Sequence, residues 1–70
     1  MNKELAYIFS TRIKERMKEK NMSQQDLALL SGISKYNISR YINAERLPDL
    51  YVAARLAETL ECSVNYLLGF

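Results

Sequence analysis

Leu5, Phe9, Ile13 and Met17 recur every four residues with Ile8 beside them, while Arg12, Lys14, Glu15, Lys18 and Glu19 fill the remaining positions. That spacing predicts a helix with one apolar stripe. Ser23 can cap a second helix, with Asp26 three residues on as a weaker form of the capping-box glutamate. The second helix should end at Ser31, because Gly32 supplies the left-handed residue that stops it. Ser34 then caps a third helix, predicted to reach about Ile42. A link so short, containing glycine, cannot fold two helices back antiparallel, so they must cross at a large angle. Pro48 and Asp49 suit the first turn of a fourth helix. Leu50, Ala53, Ala54, Leu56, Ala57 and Leu60 share its broad apolar face. Ser63 caps a short fifth helix carrying Val64, Leu67 and Leu68, which ends near Gly69. No strand-like alternation or repeat intervenes, so the expected class is all-α.

The third helix has two different sides. With Lys35 at 0°, Ser39 falls at about 40°, Tyr36 at about 100° and Arg40 at about 140°. Ile42, Ile38 and Tyr41 occupy about 340°, 300° and 240°. One side can be anchored in a core; the other presents two cations, a phenol and a hydroxyl. Arg and Lys donate to guanine O6 and N7, and Tyr and Ser meet phosphates or base edges. The same set also describes an ordinary solvated helix face.

Composition narrows the function. Seventy residues, 49% of them apolar, predict one small domain over 1–70. The net charge of +2 hides an asymmetry. Residues 1–46 carry nine basic and five acidic side chains (+4), against one and three (−2) in residues 47–70. A basic segment of this kind fits a polyanion. One cysteine, Cys62, permits no intrachain disulfide, and with no histidine present a zinc site is not expected. No cofactor is expected either. The apolar stretches fall far short of the roughly 20 residues that span a bilayer, and no secretory apolar region follows the first residues. A cytoplasmic protein is the expectation. Carboxylates scattered over different helix faces, without a glycine-rich phosphate loop, argue against an enzyme.

The run Ser23-Gln24-Gln25-Asp26-Leu27-Ala28, then Gly32-Ile33-Ser34, Ile38 and Pro48, resembles the helix-turn-helix of the phage repressor and Cro-like (XRE) family. The register continues through Leu50, Leu56-Ala57, Leu60, Ser63-Val64 and Leu67-Leu68, covering residues 5–68. The resemblance implies a compact five-helix, lambda-repressor-like bundle with the motif at helices 2 and 3. It also implies a homodimer that binds double-stranded operator DNA and regulates transcription. Lys35, Tyr36, Ser39 and Arg40 match the family's base-reading positions. Gln24 matches a glutamine that typically holds a phosphate, and Ser23, capping beside it, is grouped with it as a DNA-backbone contact. Asn37 at the flank, and Asn43 and Arg46 in the following loop, match further backbone-contacting positions. Arg12 and Lys14 are weaker candidates.

Three departures from the family pattern bear on the fold. Met17 and Ile42 stand where the family often has a partly buried Arg–Glu pair. Replacing both partners by apolar groups can be neutral, whereas losing one would be costly. Ala44 stands where glycine is frequent, which puts the loop geometry in question. Leu29 and Leu30 replace polar residues. These leucines, with Tyr66, Leu67 and Phe70, support a second reading: an antitoxin-like module of the same fold that binds a protein partner. Cys62 is expected to be an inert, buried thiol.

Overall fold

The computed structural model describes residues 2–70. Five helices follow in order: α1 (Lys3–Glu19), α2 (Gln24–Ser31), α3 (Lys35–Ile42), α4 (Leu50–Thr59) and α5 (Val64–Leu68). Each begins with a side-chain cap. The Asn2, Ser23, Ser34, Asp49 and Ser63 oxygens accept the N–H groups of Leu5, Asp26, Asn37, Val52 and Tyr66, at 2.8–3.2 Å. Three of these caps, Ser23, Ser34 and Ser63, follow from the sequence, because a cap is a local interaction three residues long. Asp49, expected with Pro48 in the first turn of the fourth helix, is instead its cap, and Pro48 lies before the helix.

The helix ends are less local in origin. Asn21, Ala44 and Glu61 all adopt left-handed backbone, with φ of 52°, 58° and 54°. At each, the next N–H reaches back five residues: Met22 to Met17 O, Glu45 to Arg40 O, and Cys62 to Ala57 O, at 2.8–3.0 Å. These are Schellman endings, normally built on glycine. Ala44 therefore keeps the loop geometry that its side chain disfavours.

The core is a single cluster of Phe9, Ile13, Met17, Leu27, Ile33, Ile38, Tyr41, Leu56, Ala57, Leu60 and Leu67. Helix α1 packs against α3 and α5, α2 against α3 and α4, and α4 against α5. Met17 is buried and Ile42 packs half-buried against the same cluster, so apolar contact occupies the place of the family's ion pair. Two expectations about α4 fail: Leu50 is 84% exposed and Ala54 is also exposed. The neighbours α2 and α5 cover only the side that holds Ala53, Leu56, Ala57 and Leu60. Met22 and Ala28 lie at the core's edge, half-buried. Leu67 is fully buried, and Tyr66 packs on α1, where its hydroxyl meets Glu15 Oε2 at 2.9 Å. Of the C-terminal apolar residues only Phe70 is strongly exposed.

Candidate nucleic-acid interface

Helix α3 is held from its inner side. Ile38 and Tyr41 are buried, and the Tyr41 ring meets Phe9 edge-on with centroids 6.0 Å apart. Burial pushes the Tyr41 phenol above its ordinary pKa. At the far end the Ser10 hydroxyl of α1 donates to the Ile42 carbonyl. The turn before α3 is fixed as well. Gly32 takes φ 77°, the buried Ser31 hydroxyl accepts the Ile33 N–H at 3.1 Å, and Arg55 Nε donates to the Ser31 carbonyl at 3.3 Å. A helix pinned at both ends and along one side presents its other side as a rigid surface.

That outer side carries Lys35, Tyr36, Ser39 and Arg40, as the helical spacing requires. Lys35 and Tyr36 are exposed; Ser39 and Arg40 are half-buried. The Arg40 guanidinium stands 5.7 Å from the Tyr36 ring centroid, within cation–π range. Its Nε also lies 4.0 Å from Glu45 Oε1. Ser39 Oγ accepts from Asn43 Nδ2 at 3.4 Å, linking the outer side of α3 to the loop that follows. Asn43 and Arg46 in that loop are exposed. Asn37 is half-buried, and its N–H serves the Ser34 cap.

Ser23 and Gln24 occupy the start of α2, and their chemistry differs. The Ser23 hydroxyl accepts from the Asp26 N–H while the Ser23 N–H donates to Asp26 Oδ2, both at 3.0 Å. This complete capping box leaves no free Ser23 amide for a phosphate. The hydrogen bonds from Ser23, backbone first, hold the Asp26 carboxyl below the usual aspartate range. Gln24, half-exposed in the first turn, has its side chain uncommitted to any hydrogen bond among the described residues.

The cations divide into two groups. Arg12 donates to the Tyr66 carbonyl at 3.1 Å and lies 4.5 Å above the Tyr66 ring. Arg16 donates to the Leu60 carbonyl at 2.7 Å, Lys20 pairs with Glu61, and Arg55 pairs with Glu58. All four are engaged with the α4–α5 side of the molecule or with its helix ends. Among the described residues Lys3, Lys14, Lys18, Lys35 and Arg46 form no ion pair, and all five are exposed. Lys3, Lys14 and Lys18 lie within about 80° of Ser10 on the α1 wheel, hence on the flank that meets the end of α3. Arg12 thus lies against α5, whereas Lys14 stands unpaired on the flank beside α3.

Sequence reasoning missed Glu45, Ser10 and Arg55. Glu45 stands five residues from Arg40, a spacing that brings no pair together on a helix, and only the Schellman turn at Ala44 returns it. Ser10 and Arg55 act across 32 and 24 residues of chain. Among the described residues no group of acidic, His or Cys side chains could hold a metal ion, and no helix is long and apolar enough to cross a membrane. Cys62 is half-buried, and burial raises its thiol pKa. A family model described as Helix-turn-helix matches residues 13–67, from the middle of α1 into α5. No curated protein and no solved structure matches the chain.

Proposed function

The chain belongs to the helix-turn-helix family of the XRE, Cro/C1 type and is a DNA-binding regulator of transcription; from that premise we propose that it is a repressor that binds an inverted-repeat operator as a homodimer. The observation that carries this reading is the outer side of α3, where Lys35, Tyr36, Ser39 and Arg40 stand together on a helix anchored by Ile38 and Tyr41. In the major groove, Arg40 and Lys35 donate to guanine O6 and N7, while Tyr36 and Ser39 meet neighbouring base edges or methyl groups. Gln24, Asn37, Asn43 and Arg46 meet phosphates and set the register, with Ser23 holding the start of α2 in place. Two copies related by a two-fold axis set their α3 helices about 34 Å apart, one helical turn of DNA. Repression then follows from occupancy of the operator.

Selection of bound sequences from a random duplex pool at a stated salt concentration tests base preference and half-site spacing together. The expected product is an inverted repeat. A pool that emerges without sequence preference overturns the reading of α3. Light scattering on and off DNA tests the dimer, and a strict 1:1 complex on a full site would remove it.

A second reading rests on Leu29 and Leu30, which are 81% and 60% exposed. They line a shallow groove with Lys20, Asn21, Met22 and Asp26, as a surface for an apolar protein partner would. A salt series separates the two readings. Affinity for duplex DNA falls steeply as salt rises, whereas an apolar interface is nearly indifferent to it.

A further inference from the structure

One carboxylate sits inside the surface that meets DNA. Glu45 lies between Asn43 and Arg46, directly beyond the end of α3, and its Oε1 is 4.0 Å from Arg40 Nε. Its position is imposed by the backbone: the left-handed Ala44 turns the chain, and the Glu45 N–H closes on the Arg40 carbonyl at 2.9 Å. Residue 45 is thus tied to residue 40 twice, by main chain and by side chain. On its other flank the Arg40 guanidinium faces the Tyr36 ring at 5.7 Å.

We propose that Glu45 is a specificity-determining residue that acts through Arg40. This rests on the reading of α3 as the recognition helix. Arg40 has the reach to satisfy either a phosphate or a base edge, and only the second carries sequence information. Glu45 opposes the first outcome in two ways. It biases the guanidinium toward a position between a carboxylate and an aromatic face, away from the flanking phosphates. It also places a negative charge among the phosphate-facing groups, so that loose electrostatic docking of this loop is penalised wherever no base contact compensates. At the right base pair Arg40 gains two hydrogen bonds to guanine and leaves the weak, solvent-exposed pair with Glu45 at little loss. At a wrong one it has only a phosphate to offer, against the repulsion from Glu45.

The test is Glu45→Gln, which keeps the side chain's size and the backbone bond to Arg40, compared with Arg40→Ala and the double variant. Binding is measured to the selected duplex, to every single-base-pair change of it, and to random duplex. Glu45→Gln is expected to tighten binding to random duplex several-fold and to lower the selected-to-random ratio by about tenfold. The loss of discrimination should fall on the base pair that Arg40→Ala also relaxes, and it should vanish when Arg40 is already absent. An unchanged ratio, or a loss that persists in the Arg40→Ala background, overturns the role of Glu45 while leaving α3 as the reading helix. If the unmodified protein shows no preference among duplexes, the reading of α3 falls, and the role of Glu45 with it.

Discussion

The Ser10 hydroxyl in α1 donates to the main-chain carbonyl of Ile42, the last residue of α3, joining two helices 32 residues apart in the chain. Ser10 is buried and Ile42 half-buried, so removing the hydroxyl leaves a helix-terminal carbonyl without its donor. Ser10→Ala is expected to lower stability by about 1–3 kcal/mol, read as a shift of the urea midpoint at constant slope. An unmoved midpoint would mean that the carbonyl finds another donor.

Ala44 predicts the opposite sign. A left-handed alanine costs roughly 1–2 kcal/mol, and a glycine there costs about 0.5–1 kcal/mol more chain entropy on folding. Ala44→Gly should therefore stabilise the protein by up to about 1 kcal/mol, whereas Ala44→Val should destabilise it. Thermal denaturation of the pair decides it. Asn21→Gly should gain less, because asparagine tolerates this conformation better.

On DNA, the two kinds of contact separate by mutation. Arg40→Ala and Tyr36→Ala are expected to lose about 1–3 kcal/mol of discrimination each at particular base pairs, with thermal stability nearly unchanged. Gln24→Ala should weaken all duplexes about equally. If instead Arg40→Ala weakened specific and random duplex by the same factor, Arg40 would be a phosphate contact.

Acid should destabilise the protein through the capping box and the Lys20–Glu61 pair. Hydrogen bonds from Ser23 hold the Asp26 carboxyl low, and the Lys20 ammonium does the same for Glu61. Each contribution is complete above the unfolded carboxyl range, about pH 4. Each is lost as pH falls through the lower folded value. Asp26→Asn should flatten the acid limb of a stability–pH profile by lowering the neutral region, while leaving the most acidic end nearly unchanged. A limb of unaltered steepness would assign acid sensitivity elsewhere.

The parts of this molecule legible in its sequence are those set over three or four residues. Ser23, Ser34 and Ser63 announce their helices because a cap reads its own next turn, and Gly32 announces a left-handed stop. The two-sided character of α3 follows from helical spacing alone, so Lys35, Tyr36, Ser39 and Arg40 could be named together. Burial on α4 was harder. Leu50 and Ala54 share its apolar wheel, yet which arc is covered depends on where α2 and α5 settle. Arg12 shows the same limit for charge: its partner, Tyr66, lies 54 residues away, and nothing local distinguishes it from Lys14. Glu45 was invisible for another reason. A turn built on a non-glycine residue carries no signal of the backward bend that makes the pair with Arg40.

The division of the cations has a consequence for how the protein meets DNA, apart from what it does once bound. With Arg16, Lys20 and Arg55 paired to Glu19, Glu61 and Glu58, and Arg12 alone left unpaired on the α5 side, the uncompensated charge is displaced toward α3 and the adjoining flank of α1. A body of net charge +2 would feel only a mild pull toward a polyanion. One with its charge offset from its centre also feels a torque, which turns α3 forward before contact and shortens the rotational search. That alignment acts over a distance of about 10 Å at ordinary salt, so added salt should slow productive encounters before it loosens the complex already formed.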